Sequence, residues 1–285
     1  MSLLVIHGGA GRLRSEERQA AIAAALSSIS KTAWPTLERA GARAAVVHAV
    51  QLLEDNPLFN AGLGSKLQVD GAARLSASLC DGTRQRFSGV VNVEGLANPI
   101  LLCRQLLEEK DRVLAGEGAL QRAQELGLRT ADMRTEEAIA TWKRGVEGQT
   151  GTVGAVAVDS AGQVAAASST GGRGLERKGR VSDSCTVAGN YANRTSAITT
   201  TGVGEDIIDG ALAVRLAESS RRGEDLGLAA DKLIEEMVSR EWMAGFIGLD
   251  TQGSWVARHT TEALYWWVRG EHTDRGFWNA NGSTG

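Results

Sequence analysis

Two apolar stretches near the middle of the chain, joined by only four residues, most constrain its fold. TVGAVAV at 152–158 and QVAAASS at 163–169 contain no charged residue, and the connection DSAG is polar. Such a pair is typical of an antiparallel hairpin. Strands and helices are mixed on both sides of it, without a regular alternation. This order argues against a parallel βαβ sheet and for helices layered on antiparallel sheets.

Local patterns predict the other elements of that layered arrangement. Valine-rich or alternating apolar runs bounded by turn residues predict strands, and apolar residues at helical spacing predict helices. The further strands are expected at 3–11, 86–95, 195–202, 245–250 and 254–259. Helices are expected at 15–30, 36–55, 98–110, 116–128, 205–222 and 225–240, with a short helix through Ala138 and Trp142 inside a polar segment, 129–151, that is the best candidate for a linker.

Charge and composition exclude several classes of partner. The 285 residues carry 31 basic and 34 acidic side chains, a net charge of −3 with no long run of one sign. Neither a nucleic acid nor a membrane surface is therefore expected as a partner. No apolar run approaches the length of a spanning helix, and the first residues lack the pattern of a secretory leader. Three scattered cysteines without CxxC spacing favour the cytoplasm.

Several common catalytic motifs are missing from the sequence. The four histidines have no metal-ligand spacing, and neither GxSxG nor GxxxxGK[ST] occurs. The HGGAG segment near the N-terminus lacks the glycine spacing of a dinucleotide-binding loop. We therefore expect no transition metal and no organic cofactor.

Thr152 lies between Gly151 and Gly154 at the start of the predicted hairpin. A threonine hydroxyl is a weak nucleophile unless a base accepts its proton. Cleavage of the peptide bond before Thr152 would create an α-amine with a pKa of roughly 7.7–8.0, which can act as that base. Gly151 lacks a Cβ and so permits close attack on its carbonyl. The alternative is that Thr152 simply begins a strand, as β-branched residues often do.

An ordered set of short motifs resembles the plant-type L-asparaginase/isoaspartyl peptidase family of N-terminal-nucleophile (Ntn) hydrolases. The motifs are VIHGGAG, LEDNPLFNAGLGS at 53–65, CDG at 80–82, NPI at 98–100, GTVGAVAVD, SSTGG, GRVSDS at 179–184, AGNYAN at 188–193 and TTGVGE at 200–205. They span most of the chain in family order. The resemblance implies an α+β fold, a four-layer αββα sandwich of the Ntn-hydrolase type.

The resemblance also implies that the chain is an autoprocessing enzyme. One domain, 1–285, would cut itself between Gly151 and Thr152, giving an α-subunit of 1–151 and a β-subunit of 152–285. Two such αβ units would form a homodimer. The product would hydrolyse the side-chain amide of L-asparagine and would cleave β-aspartyl dipeptides.

Individual roles follow from the same resemblance. Thr152 would be the nucleophile, with Thr170 hydrogen-bonded near it and Asn60 positioning its amine. The resemblance assigns an oxyanion hole to Thr201 and the Gly202 backbone, and substrate binding to Arg180 (α-carboxylate), Asp183 (α-ammonium), Gly202 and Gly204. It also implies a structural sodium ion held by the backbone carbonyls of Leu53, Glu54, Asn56, Phe59, Ala61 and Leu63.

Taken singly, these residues have structural explanations as well. Arg180 and Asp183 suit an ordinary surface ion pair, and Asn60 suits a turn. Thr170 and Thr201 suit strand ends, where a hydroxyl satisfies backbone groups.

The sequence departs from the family pattern at two places. SASLCDG replaces the family's DASxMDG, at Ser76 and Cys80, and the C-terminal TTEALYWWVRGEHTDRGFW is unusually rich in tryptophan. The sequence leaves three locations open for Trp266 and Trp267: a core, an interface, or the acyl side of the substrate pocket. Two other functions remain: a glycosylasparaginase-like amidase, which the missing leader disfavours, and an uncleaved relative that only binds aspartate-like ligands.

Overall fold

Twelve strands and seven α-helices lie within residues 1–145 and 151–277, the part of the chain that the structure, a computed structural model, describes. The strands are β1 (Leu3–Gly11), β2 (Arg74–Asp81), β3 (Arg86–Glu94), β4 (Val113–Ala115), β5 (Val153–Val158), β6 (Val164–Thr170), β7 (Asn190–Ala192), β8 (Ser196–Gly202), β9 (Ala244–Asp250), β10 (Trp255–His259), β11 (Ala263–Gly270) and β12 (Thr273–Phe277). The helices are α1 (Glu16–Glu54), α2 (Pro99–Leu106), α3 (Gly116–Glu125), α4 (Glu136–Lys143), α5 (Gly204–Gly210), α6 (Leu212–Arg221) and α7 (Leu226–Ser239).

The strands form two sheets. One has eight strands in the order β12-β11-β1-β5-β6-β2-β3-β4, and the other has four in the order β10-β9-β8-β7. Neighbouring strands are antiparallel except β3 and β4, which are parallel. The prediction of antiparallel sheets, with no regular βαβ succession, is confirmed. All seven predicted strands are present, and β2, β4, β7, β11 and β12 are additional.

Three apolar cores separate the layers. Successive side chains of a strand point to opposite faces of its sheet. In β1, Leu4 and Ile6 therefore join a core with helices α1 to α3, whereas Leu3 and Val5 join a core between the two sheets. A third core lies between the smaller sheet and helices α5 to α7. The molecule is thus an α+β sandwich in which helices cover the outer face of each sheet.

Helix α1 runs through the region where two helices were predicted. It continues across Pro35, and its interruption lies at Gly41 instead, where φ is 82° and ψ is 178°. The carboxylate of Asp159 accepts the Ala42 N–H at 3.1 Å, and a Cβ on Gly41 would lie 2.8 Å from that carboxylate. The break therefore depends on a residue in the turn between β5 and β6, which local sequence does not reveal.

The helix predicted at 205–222 is also divided. Ala211 has left-handed backbone angles, φ 46° and ψ 43°, and separates α5 from α6. The Ala213 N–H then donates to the Ala188 carbonyl at 2.8 Å, which fixes the first turn of α6 beside the smaller sheet.

The tryptophan-rich C-terminal stretch forms strand β11 of the larger sheet. Trp266 points into the core between the sheets, where its ring centroid lies 5.0 Å from that of Trp255. Trp267 points to the other face, and its Nε1–H donates to Asp274 Oδ1 at 2.7 Å. Of the places considered for Trp266, the structure supports the core.

The predicted linker, 129–151, contains helix α4, which begins after Thr135. The Thr135 hydroxyl oxygen accepts the Ala138 N–H at 3.1 Å, a typical N-cap. Residues 146–150 of that segment lie outside the described residues. A bilayer-spanning helix does not occur among residues 1–145 and 151–277.

Candidate active site

The β5–β6 hairpin brings Thr152 and Thr170 together. Thr152 directly precedes β5, and pairing of Val153 with Ser169 places it beside Thr170, the last residue of β6. The Thr152 hydroxyl donates to Thr170 Oγ1 at 3.2 Å and lies 3.4 Å from Ser184 Oγ. Only 6% of Thr152 is exposed. The hairpin expected from the sequence thus explains the first contact, whereas Ser184 was not anticipated.

Gly154, the second glycine beside the threonine, faces a crowded space between the sheets. A Cβ at this position would lie 2.5 Å from His7 Nε2 and 2.7 Å from Thr199 Oγ1. Burial lowers the pKa of His7 to about 3, so its imidazole is neutral near pH 7. Glycine is therefore needed here because a neutral histidine fills the space behind Thr152.

Asn60 lies against the backbone of Gly151. A Cβ on Gly151 would be 3.4 Å from the Asn60 Cβ. The Asn60 amide donates to the Gly172 carbonyl at 2.6 Å, and its side-chain oxygen accepts the Lys66 N–H at 3.1 Å. These two bonds fix the side chain beside the peptide bond that joins Gly151 to Thr152. Asn60 therefore does more than form a turn, because its side chain bonds to two other segments.

Thr201 and Gly202 are the last two residues of strand β8, and Gly202 lines the same cleft as Thr152. Thr201 Oγ1 accepts the Ala10 N–H at 3.1 Å, which leaves its own hydroxyl proton to donate. Gly202 has φ +145°, and a Cβ there would lie 2.5 Å from the Ala244 Cα. Both this positive φ and the close packing against Ala244 therefore require glycine at position 202.

Arg180 and Asp183 meet at Gly204 but do not form the surface ion pair considered above. A Cβ on Gly204 would lie 2.7 Å from both Arg180 Nη2 and Asp183 Oδ1. Arg180 instead donates from Nε and Nη2 to the Glu205 carboxylate, at 2.9 and 2.8 Å. Asp183 is 3% exposed, and burial raises its pKa to about 7 despite the nearby guanidinium. Glu205 is the last residue of the TTGVGE motif, but the sequence did not predict its pairing with Arg180.

A narrow cleft connects Thr152 to these charged groups. Its free volume is about 10 Å³, enough for one water molecule. Of the predicted catalytic and substrate-binding residues, all but Asn60 and Thr201 line it. The lining residues are Gly151, Thr152, Thr170, Gly172, Arg173, Arg180, Ser182, Asp183, Gly202 and Gly204. The hydroxyl of Thr152 is therefore not sealed in a core away from Arg180.

In the loop after α1, two glycines lie very close to backbone carbonyl oxygens. A Cβ on Gly62 would lie 2.2 Å from the Glu54 carbonyl oxygen, and a Cβ on Gly64 would lie 2.0 Å from the Phe59 carbonyl oxygen. The carbonyls of Leu53, Asn56 and Ala61 accept backbone N–H groups within the loop. Each carbonyl has a second lone pair, and oxygen donors of this kind suit a hard cation. Four of the six predicted sodium ligands thus lie in this compact loop, and the other two, Leu53 and Glu54, end α1 directly before it.

Glu54 also carries a buried carboxyl group. Its Oε1 accepts the Ser169 hydroxyl at 2.7 Å and the Ile100 N–H at 3.3 Å. Burial raises the pKa of this carboxyl from 4.5 to about 8, and these hydrogen bonds only partly oppose the shift. The group is therefore protonated in the folded protein near pH 7 but ionised in the unfolded chain.

We expect Glu54→Gln to remove a loss of stability that the wild-type protein shows as pH rises from 4.5 to about 8. Because the folded pKa is the higher one, the stability linked to the proton is complete below pH 4.5 and is lost as pH rises through 8. The wild-type unfolding free energy should fall by up to about 1.4 kcal/mol per pH unit in this window. Urea unfolding at pH 5, 7 and 9 measures the slope. Glu38→Gln, an exposed position on α1, is the control; equal slopes in both variants would contradict the assignment.

Comparison with known proteins gives a consistent family. A family model described as asparaginase matches residues 1–150 and 143–277. An isoaspartyl peptidase/L-asparaginase of Synechocystis sp. is 43% identical over 270 residues, covering 88% of this chain and 82% of the relative. One of Nostoc sp. is 39% identical over 274 residues, with 88% and 86% covered. A plant-type L-asparaginase of Thermococcus kodakarensis is 36% identical over 278 residues, covering 89% of each chain.

Proposed function

Since this chain belongs to the plant-type L-asparaginase/isoaspartyl peptidase family, we propose that it is a threonine amidohydrolase. It hydrolyses L-asparagine to aspartate and ammonia and cleaves β-aspartyl dipeptides. The observation that carries the proposal is the cleft that joins the Thr152 hydroxyl to Arg180 and Asp183. A nucleophile at one end and two opposite charges at the other match an amide whose α-carbon carries both an ammonium and a carboxylate.

The first step is self-cleavage before Thr152. The Thr152 oxygen attacks the Gly151 carbonyl carbon, the C–N bond breaks, and the nitrogen takes up the hydroxyl proton. Water then hydrolyses the resulting ester, releasing the Gly151 carboxylate and leaving Thr152 with an α-amine. The contacts to Thr170 and Ser184 support this step because they hold the hydroxyl, and the position of Asn60 supports it because it confines the Gly151 backbone.

Substrate hydrolysis uses the amine that self-cleavage creates. It accepts the hydroxyl proton as Thr152 attacks the side-chain carbonyl, and it returns the proton to the departing nitrogen. Thr201 and the Gly202 N–H stabilise the oxyanion, and water hydrolyses the acyl-enzyme. Asp183 receives the α-ammonium and Arg180 the α-carboxylate. Since the Asp183 pKa is about 7 without a ligand, a bound ammonium favours its ionised form.

The finer features of the fold and assembly belong to the same proposal. The sandwich is of the four-layer αββα Ntn-hydrolase type, with an α-subunit of 1–151 and a β-subunit of 152–285 that pair further into a homodimer. The glycine-lined loop around Gly62 binds sodium through its carbonyls and thereby stiffens the segment that holds Asn60. A cytoplasmic location stays a prediction.

Intact-mass measurement combined with product assays tests the function. We expect the 30.1 kDa chain to split into residues 1–151 and 152–285, and the purified protein to release ammonia from L-asparagine and aspartate from β-aspartyl dipeptides. An unsplit chain without either product would support the non-enzymatic relative. Preferential hydrolysis of N-glycosylated asparagine would support the glycosylasparaginase-like alternative.

A further inference from the structure

A second and larger cavity lies on the other side of Gly151 from the cleft. Its volume is about 300 Å³, within the range of small-molecule sites. The wall includes the end of β1, the start of α1, the segment after Asn60, and one side of helix α4. Gly151 borders both this cavity and the cleft that holds Thr152. The backbone at Gly151 therefore forms part of the partition between the two spaces.

The cavity is strongly cationic. Arg12, Arg14, Arg18 and Lys66 line it, whereas Glu137 is the one carboxylate among its lining residues in the described parts of the chain. Glu137 lies 3.7 Å from Arg18. Within residues 1–145 and 151–277, no carboxylate lies within 4 Å of Arg14 or Lys66. Arg14 and Lys66 thus have no close counter-ion in these parts of the chain.

Lys66 is the most unusual of these residues. Its Nζ is buried and has no hydrogen-bond partner among the residues that the structure describes. Burial, assisted by the charge of Arg14, lowers the pKa of Lys66 to about 7, while the buried Glu176 carboxylate acts in the opposite direction. An unpaired ammonium costs free energy when it leaves water. An anion bound here would satisfy Nζ and keep it charged.

Proton transfer shows which part of a substrate would reach the cavity. The Thr152 nitrogen, to which Gly151 is bonded, is the group that returns a proton to the leaving nitrogen. The leaving group must therefore lie on the side of Thr152 from which Gly151 departs. Gly151 lines the cationic cavity, so this cavity borders that side. The aspartyl ammonium and carboxylate meanwhile stay in the cleft with Asp183 and Arg180.

We propose that the cationic cavity binds the α-carboxylate of the amino acid that leaves from a β-aspartyl dipeptide, with Lys66 and Arg14 as its partners. This inference rests on the proposed function and adds a specificity-determining site to it. L-Asparagine releases ammonia, which has no carboxylate, and so gains nothing from the cavity. The protein should then favour β-aspartyl peptides whose second residue has a free C-terminus.

The test compares β-aspartyl-alanine with its C-terminal amide, and uses L-asparagine as a reference. For the wild-type enzyme we expect kcat/KM to be about tenfold higher for the acid than for the amide, as for a hydrogen bond to a charged group. Lys66→Met keeps the length of the side chain without its charge and should reduce this ratio to about two. Arg14→Gln should lower the ratio in the same direction. Lys31→Met, at an exposed position on α1, should leave it unchanged.

The outcomes separate this inference from the function on which it depends. Equal rates for the acid and the amide in the wild-type protein would overturn the carboxylate site, and that comparison needs no variant. A preference for the acid that persists in both Lys66→Met and Arg14→Gln would also overturn it. A wild-type protein that hydrolyses neither dipeptide nor asparagine would instead refute the proposed function.

Discussion

Replacing Thr152 with alanine should leave residues 1–285 as one uncut chain and reduce asparagine hydrolysis by about 10⁴-fold or more. The substitution removes the oxygen that attacks both the Gly151 carbonyl and the substrate, so one change abolishes two reactions. Thr152 lines a cleft and is followed directly by β5, so the smaller side chain should leave the hairpin intact. Intact mass after long incubation reports the cleavage, and ammonia release reports the hydrolysis.

Two controls make the result specific to the hydroxyl group. Thr152→Ser keeps the oxygen and should retain both reactions at reduced rates. Thr32→Ala removes a hydroxyl from the exposed face of α1 and should leave both rates at their wild-type values. Ammonia release from the Thr152→Ala protein at the wild-type rate would show that another group is the nucleophile.

The contact between Thr152 and Thr170, which the family resemblance implied, also follows from local structure. Two strands joined by a four-residue turn have little freedom in their register, because the turn fixes how they pair. The hairpin therefore places the residue before β5 beside the last residue of β6. Its strands were located correctly because two uncharged apolar runs are joined by the polar turn DSAG.

Features that depend on distant residues could not be found in this way. The break at Gly41 in α1 exists because Asp159 inserts its carboxylate there. Strand β2 contains no β-branched or aromatic residue, the types that are enriched in strands, and its place depends on pairing with β3 and β6. The pairing of Arg180 with Glu205 and the burial of Lys66 depend on tertiary packing. Family motifs indicate which residues matter but not which partners they have in the uncut chain.

The ion pair between Arg180 and Glu205 also bears on substrate binding. Burial of most of the Arg180 side chain makes its remaining hydrogen bonds strong, and Glu205 occupies two of them. Glu205 itself is half exposed, so it can swing toward solvent at little cost. A substrate carboxylate can therefore replace Glu205 on the guanidinium while Asp183 takes the ammonium. In the absence of substrate, Glu205 keeps the positive charge compensated.

Replacing Arg180 with leucine should lower kcat/KM for L-asparagine by about 100-fold or more, mostly through a higher KM. The substrate loses its bidentate partner, and Asp183 loses the nearby cation that favours its charged form. Self-cleavage should proceed, because the Gly151 carbonyl makes no use of the guanidinium. Steady-state kinetics over a wide range of asparagine concentrations, with intact mass on the same sample, measures both effects.

Arg215→Leu is the matched control for this experiment. Arg215 donates through both Nη atoms to the Glu236 carboxylate, so it too belongs to a two-point arginine–glutamate pair, but on helices α6 and α7 away from the cleft. It should leave KM unchanged. If the two variants raise KM equally, the effect of Arg180 is one of general stability rather than of binding. If Arg180→Leu blocks the cleavage before Thr152 while Arg215→Leu does not, the guanidinium acts on the precursor as well, and its assignment to the substrate carboxylate alone is wrong.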